Sequence, residues 1–318
     1  MKLKEIYRKA VDMGTEVDPR GVEALNRILE DEKKDYEKLE GADKEVYDLQ
    51  RLENPFHDTR ILHGDPETDV EGVLVGIDLT TGEVVLTDRL NEKGTRIDLM
   101  ISHHPSGLGI AGLPEVMHLQ KDILYEWGLP INVAESLMDE RIKEVNRLVK
   151  GRNYNKTLDA AELMDIPFMC IHTPADNLVN HHLTELIENT ELETVKDVLE
   201  MLKDIPEYHE ARKFGDGPFV LVGSENRKAG KVVVEMTGGT QGSKKSYAKL
   251  ADKGVGTLIG MHLSEDHRKE VEKHHLNYVI AGHMASDSLG LNLLMDALES
   301  KGVKVYPCSG FIRHSRNG

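Results

Sequence analysis

The sequence predicts an α/β protein with two lobes of mainly parallel strands. Short β-branched segments alternate with helical segments, and this alternation occurs twice, on either side of a helical middle. A parallel strand pair needs a crossover connection, most often a helix, so such alternation is typical of parallel sheets. The first 52 residues are Glu- and Lys-rich and helical in pattern, which adds an N-terminal helical extension. No internal repeat is visible.

The elements follow in order along the chain. Residues 1–65 form the extension, whose helices carry an apolar stripe at Leu25, Ile28 and Leu29 and end in a polar connector. Residues 66–318 form the two-lobed domain, with lobes at about 66–190 and 215–318. Strands are predicted at 70–79, 97–102, 166–172, 219–223, 231–236, 256–262, 277–283 and 303–308. Helices are predicted at 82–94, 114–127, 134–149, 177–188, 194–204, 247–254, 265–274 and from about 288 to 302.

Composition excludes several classes of protein. With 318 residues the chain can bury a large core, and its net charge of -16 disfavours nucleic acid and anionic membrane as partners. Two cysteines, Cys170 and Cys308, are too few for a disulfide scaffold and match no zinc finger, so we expect a reduced cytoplasmic location. Neither a signal peptide nor an apolar run of membrane-spanning length is expected.

Three predicted strands end in residue types that bind metals. These residues are His103 and His104, His172 and Asp176, and His283 and Asp287. In open α/β sheets, sites form beyond the carboxyl ends of the strands, so the three ends could converge in one crevice. Imidazole and carboxylate together suit iron, zinc, manganese or a similar divalent metal.

Each motif also has a structural interpretation. Asp287 and its serine neighbours suit a helix N-cap, and Pro174 with Asp176 suits the start of the following helix. The loop 238–246 follows a strand and precedes a helix, as a phosphate-binding loop would. Its glycine spacing is not that of a Walker A motif, and a tight turn with a helix cap is the preferred interpretation. His262 and His267 are weaker site candidates, and Cys170 is interpreted as a core thiol.

The four motifs "GVLVGIDLT", "IDLMISHHP", "HTPADN" and "YVIAGHMASD" stand in an order that resembles the Nif-three-like family. Members of this family are often labelled homologues of GTP cyclohydrolase I type 2. The resemblance covers roughly residues 70–308 and implies a dinuclear metal site in the cleft between two α/β lobes. It also implies self-association into a ring-like homo-oligomer, with a hexamer suspected.

The resemblance also implies ligands. His103 and His104 would each face a different metal, Asp176 would bind one and His283 the other, and Asp287 would bridge both. His172 would be a ligand or an orienting group, and Asp78 a structural or supporting carboxylate.

Two departures from the family pattern stand out. Asp287 occupies a position where the family usually has Glu, so the bridge is expected to be looser. The N-terminal Asp-Asn-x-Gly-Leu stretch is absent, and His57, Asp58, Arg60 and His63 are candidates for a substrate pocket in its place.

Two functions follow as hypotheses. One is a metal-dependent hydrolase that uses a metal-activated water on a small-molecule substrate, by cyclohydrolase-like, amide or phosphoester chemistry. His172 and His267 would then transfer protons. The other is a non-enzymatic metal-binding or regulatory oligomer, in which the metal site would be fully ligated and closed.

Overall fold

The chain folds into two β-sheets with helices on their faces, in a computed structural model that describes residues 1–317. The strands are β1 (Arg60–His63), β2 (Gly72–Gly76), β3 (Leu99–Ser102), β4 (Phe168–Cys170), β5 (Phe219–Val222), β6 (Lys231–Glu235), β7 (Val255–Gly260), β8 (Asn277–Ile280) and β9 (Lys304–Cys308). The α/β class predicted from the alternation is confirmed.

The helices before β5 include the segments predicted as helical in that part of the chain. They are α1 (Leu3–Glu16), α2 (Val22–Lys38), α3 (Gly41–Glu45), α4 (Thr81–Glu92), α5 (Gly107–Val116), α6 (Leu119–Glu126), α7 (Ile131–Lys150), α8 (Lys156–Leu163), α9 (Thr173–Glu188), α10 (Val195–Lys203) and α11 (Pro206–Ala211). After β6 come α12 (Ser246–Asp252), α13 (Glu265–Lys273) and α14 (His283–Glu299). Short 3-10 turns lie at Leu49–Leu52 and Arg212–Phe214.

The two sheets share one strand order. The first runs β1-β4-β3-β2-β9 and the second β5-β8-β7-β6. In each, an antiparallel edge strand flanks parallel strands, four in the first sheet and three in the second, which lacks only a counterpart of β9. The lobes therefore repeat a topology that their sequences do not reveal, because the repeat lies in strand direction and order.

The strand β1 was not predicted. Its residues were interpreted as part of a polar connector, yet Arg60 pairs with Cys170 and Ile61 with Met169. An interrupted edge strand of four residues shows too little period-two alternation to be recognised from sequence.

Helices α9 and α14 form the layer between the two sheets. Leu178 of α9 and Leu291 of α14 pack in the core of the first sheet, while Val179 of α9 and Leu289 of α14 pack in the core of the second. Both helices begin just after the third parallel strand of their sheet, so their N-termini meet at the carboxyl edges of both sheets.

Helix α1 also belongs to this core. Leu3 and Ile6 are buried against the first sheet together with α9 and α14. Of the stripe predicted on α2, Leu25 is buried but Ile28 is exposed. The division of the chain at residue 65 stays a prediction. Among residues 1–317, no helix combines the length and apolarity needed to cross a bilayer.

The approach of α9 and α14 requires a glycine at position 290. A Cβ atom there would lie 2.2 Å from the carbonyl oxygen of Ala175, far inside van der Waals contact. We expect Gly290→Ala to lower the free energy of unfolding by about 1–3 kcal/mol, because the helices must separate. Urea unfolding measures this change.

Gly82→Ala is the matched control. Gly82 is an exposed helical glycine whose Cβ would meet only the Thr80 hydroxyl oxygen, at 3.5 Å. Its substitution should leave stability unchanged or raise it slightly. Equal unfolding midpoints for the two variants would contradict the packing argument.

Candidate metal centre

Six side chains from three strand ends meet in one cluster. His103 and His104 follow β3, His172 is the N-cap of α9 with Asp176 in its first turn, and His283 opens α14 with Asp287 one turn on. Helix α14 was predicted to begin near residue 288, but it begins at His283, after Gly282 with φ of 111°. The earlier start places His283 and Asp287 on one helical face, four residues apart.

Asp287 lies at the middle of this cluster. Its Oδ1 is 3.4 Å from the Nε2 of His103, and its Oδ2 is 3.4 Å from the Nε2 of His104 and 3.5 Å from the Nε2 of His283. Asp176 Oδ1 is also 3.4 Å from the Nε2 of His103. The two oxygens of Asp287 therefore face different partners.

Two ligand sets result, and they share Asp287. One consists of His103, Asp176 and Asp287, the other of His104, His283 and Asp287, and each offers ligand atoms within 4.8 Å of one another. His172 forms a further such group with His103 and His104. The residues brought together are those predicted as ligands.

Each of three imidazoles is oriented through its other ring nitrogen. The Nδ1–H of His103 donates to the carbonyl of Ile171 at 3.0 Å, that of His104 to Asp78 at 2.8 Å, and that of His172 to Asp58 at 2.7 Å. Such bonds fix the tautomer and leave Nε2 as the free, basic nitrogen, as in carboxylate–histidine–metal triads. Asp78 therefore has the supporting position predicted for it.

Some buried polar atoms of the cluster have no hydrogen-bond partner in the described part of the chain. Among residues 1–317, the buried Nε2 of His103 and both carboxylate oxygens of Asp287 have no hydrogen-bond partner. Asp287 is only 1% exposed. Burying an ionised carboxylate without a partner costs several kcal/mol. The donor set fits a divalent cation, because carboxylate and Nε2 lone pairs converge on the same space.

The charges of the cluster perturb its pKa values strongly. Burial raises the pKa of Asp287, but His103 and His104 outweigh it and hold that pKa well below its usual range. Burial lowers the pKa of His103 and of His104, yet the nearby carboxylates raise the first well above its ordinary value and the second to about 9. The same negative potential would attract a metal cation.

A cavity of about 70 Å³ adjoins the cluster. Residues from both sheets line it, among them His172, Asp176, Glu235, Thr237, His262, His283 and Asp287. The ring of His262 lies 4.6 Å from that of His283 in a tilted arrangement, and His262 is exposed. The cluster is therefore open on one side to a small molecule.

His267 does not join the cluster. It is buried, its Nδ1 lies 2.7 Å from the Ser264 hydroxyl, and its Nε2 lies 3.0 Å from the carbonyl of Gly242. Both ring nitrogens are thus engaged in linking α13 to the glycine loop. This position gives no support to its predicted role in proton transfer.

The loop after β6 forms a tight turn that hydrogen bonds from another part of the protein stabilise. Gly238 and Gly239 have φ of 88° and 86°, values that favour glycine. Gln120 donates to the carbonyls of Gly238 and Thr240 at 2.7 and 2.6 Å. These contacts match the tight-turn interpretation preferred over a phosphate loop.

The four N-terminal candidates do not line the cavity in the described part of the chain. Asp58 lies behind the cluster, where it accepts from His172 and from the Thr173 hydroxyl at 2.7 Å. The buried Arg60 bonds Asp48 at 2.7 Å and is a structural cation. No sequence spacing links Asp58 to His172, since their contact depends on β1 pairing with β4.

Comparisons with known proteins find a structural neighbour along most of the chain. A NIF3 superfamily protein from Sphaerobacter thermophilus is 27% identical, with 80% of this chain and 91% of that chain covered and a TM-score of 0.73. Reduced HcgD from Methanocaldococcus jannaschii (18%, 78% and 87% covered, TM-score 0.49) and a Bacillus cereus protein related to NIF3 (15%, 81% and 92%, 0.42) are less similar. No family model matches the chain, and no curated protein does.

Asp287→Asn keeps the shape of the central side chain and removes its charge. We expect zinc or manganese to stabilise the wild type, by about 2.7 kcal/mol at a concentration 100 times the dissociation constant. This stabilisation should be largely lost in the variant. Calorimetric unfolding with and without metal measures it. Asp216→Asn, at an exposed carboxylate between the second 3-10 turn and β5, is the control and should respond like wild type. Full metal stabilisation of Asp287→Asn would contradict the ligand role.

The stability of metal-free protein should be greatest near pH 6.5. His103 and His104 have raised folded pKa values, so their contribution is complete below the ordinary value of 6.5 and is lost as pH rises through about 9. Burial lowers the folded pKa of His283 to about 4, so its contribution is present above 6.5 and is lost as pH falls toward 4.

Urea unfolding of chelator-treated protein across this pH range tests the expectation. His104→Gln should weaken the alkaline loss of stability. Zinc should suppress that loss, because bound metal replaces the protons on the imidazoles. Stability that rises steadily from pH 6.5 to about 9 would contradict this account.

Proposed function

Because the chain is a Nif-three-like protein, we propose that it is a dinuclear metal-binding protein that acts as a metal-dependent hydrolase. The observation that supports this proposal is the sharing of Asp287 between two ligand sets beside an open cavity. His103 with Asp176 would hold one ion and His104 with His283 the other. The donor types suit iron, zinc or manganese.

The chemistry of such a centre depends on the ions it holds. Divalent metals bound there would polarise a substrate oxygen and lower the pKa of water toward neutrality. A cyclohydrolase-like, amide or phosphoester reaction is compatible with that chemistry.

The protein's own residues would do the remaining work. Asp58 and Asp78 hold His172 and His104 in one tautomer through the Nδ1–H bonds described above. His172 lines the cavity with its Nε2 free of a protein hydrogen bond among the described residues, so we propose it as a proton carrier. His267 lacks both features.

The shorter side chain at position 287 is compatible with bridging. Its two oxygens reach Nε2 atoms of three histidines at 3.4 to 3.5 Å in the protein alone. Helix α14 approaches α9 closely at Gly290, which would bring the aspartate to the centre without the missing methylene.

Metal analysis and a hydrolase screen test the proposal together. Protein purified without added metal, and after loading with zinc, manganese or iron(II), should hold about two ions per chain in a dinuclear site. Loaded protein should hydrolyse at least one probe among nucleotides, cyclic amides and p-nitrophenyl phosphate. Asp176→Asn should lower both metal content and turnover, while Asp216→Asn should change neither.

The outcomes separate the two functions. Absence of divalent metal under every loading condition would refute the metal site. Two bound ions without turnover of any probe would instead favour a non-enzymatic metal-binding or regulatory protein. The ring-like homo-oligomer and the cytoplasmic location stay predictions, and light scattering in solution would test the hexamer.

A further inference from the structure

We propose that Glu235 exchanges protons with a molecule bound in the cavity, and that Tyr247 and Tyr278 are its positioning residues. This inference deepens the proposed function and rests on it, since it assigns a proton donor and acceptor to the same cavity. Glu235 belongs to neither ligand set, and no motif in the sequence singled it out.

Glu235 stands at the edge where the sheets meet the metal cluster. It is the last residue of β6 and lines the cavity together with Asp176 and Asp287. It is partly exposed, whereas Tyr247 and Tyr278 are 0% and 1% exposed. Glu235 therefore borders the cavity from β6, a strand that bears none of the proposed ligands.

The two tyrosines hold this carboxyl by one oxygen. The hydroxyls of Tyr247 and Tyr278 each donate to Oε2 at 3.1 Å. Among the hydrogen bonds of residues 1–317, Oε1 has only the longer contact to Tyr247, at 3.4 Å. Oε1 is thus the oxygen available to a bound molecule.

A glycine makes the arrangement possible. Strand β7 lies between β6 and β8, and Gly260 pairs with Glu235 across the sheet. A Cβ atom on Gly260 would lie 2.0 Å from the Tyr278 hydroxyl oxygen. Because position 260 has no side chain, Tyr278 reaches over the middle strand to Glu235.

The surroundings also suit proton exchange near neutral pH. Burial raises the pKa of Glu235 to about 7, although the hydrogen bonds from Tyr247 and Tyr278 oppose the rise. A carboxyl with a pKa near ambient pH is well matched to general acid–base work. Burial and the nearby carboxylate raise the pKa of both tyrosines well above the ordinary value, so both stay donors.

The other titratable groups around Glu235 come from several elements. Tyr247 belongs to α12 and Tyr278 to β8, while Gly260 of β7, which pairs with Glu235, has no titratable side chain. The groups that line the same cavity are His172, Asp176, His262, His283 and Asp287.

The proton step balances within these groups. As the bond between the substrate and its leaving group breaks, the O–H bond at Oε1 also breaks and its proton passes to a lone pair of that leaving group. The carboxylate that remains is stabilised by the two tyrosine hydroxyls. The OH of the attacking water forms the new bond to the substrate, and the other proton of that water returns to Oε1.

Infrared difference titration of chelator-treated protein measures the protonation of Glu235 without a substrate. The wild type should show the carbonyl stretch of a protonated carboxyl that disappears as pH rises through about 7. Glu235→Gln should lack this band. Tyr278→Phe should move its midpoint upward, because a hydrogen bond to the charged form is removed. Glu265→Gln, at an exposed carboxylate on α13, should leave the band unchanged.

A band that persists in Glu235→Gln, or that is absent from wild type near neutral pH, would overturn the inference whatever the turnover. If a probe is hydrolysed, Glu235→Gln should lower kcat by a factor of about 10²–10⁴ while the zinc content stays the same. The plot of kcat against pH should also lose the ionisation that Glu235 contributes in the wild type. Undiminished kcat in that variant would also overturn it. If wild type shows the band but hydrolyses no probe, the hydrolase proposal fails while proton exchange by Glu235 is supported.

Discussion

The close packing of α9 against α14 is the contact on which the rest of the site depends. Both helices pack between the two sheets, with one side against each sheet. Their positions are therefore set by two hydrophobic cores at once. At the crossing, Gly290 lets the backbone of Ala175 approach without a side chain between them. The N-terminal turns of both helices then bring Asp176 and Asp287 to the same histidine, His103.

The second constraint is electrostatic. Asp287 is buried, ionised and without a hydrogen bond among the described residues, and its stability requires positive charge nearby. In the protein alone that charge comes from His103 and His104, whose pKa values rise accordingly. A cation at the same place would replace those protons and meet Nε2 atoms that are already oriented, since three Nδ1–H groups are held by fixed acceptors. The cluster therefore needs little rearrangement to bind metal.

The lobes use a shared topology for different chemistry. Both place a His-x-x-x-Asp sequence at the start of the helix that follows the third parallel strand, at His172 and at His283. The first lobe adds His103 and His104 at its middle strand. The second has Gly260 at the end of the corresponding strand, and the space above it is used by Tyr278 to reach Glu235. A repeated fold thus supplies ligands from both halves, and the second half adds a separate carboxyl group, Glu235.

The sequence by itself determined the class of fold, most elements and the residues that gather at the strand ends. These follow from local pattern, because β-branched runs, helical periodicity and polar strand ends are visible within a few residues. Only the tertiary structure decided the start of α14, the strand β1, the pairing of Asp58 with His172, and the meeting of Glu235 with two tyrosines. The last three of these depend on residues that are distant in sequence, and the side-chain contacts join residues from 12 to 114 positions apart. Which residues share a space is set by how sheets and helices pack, and that information is not local.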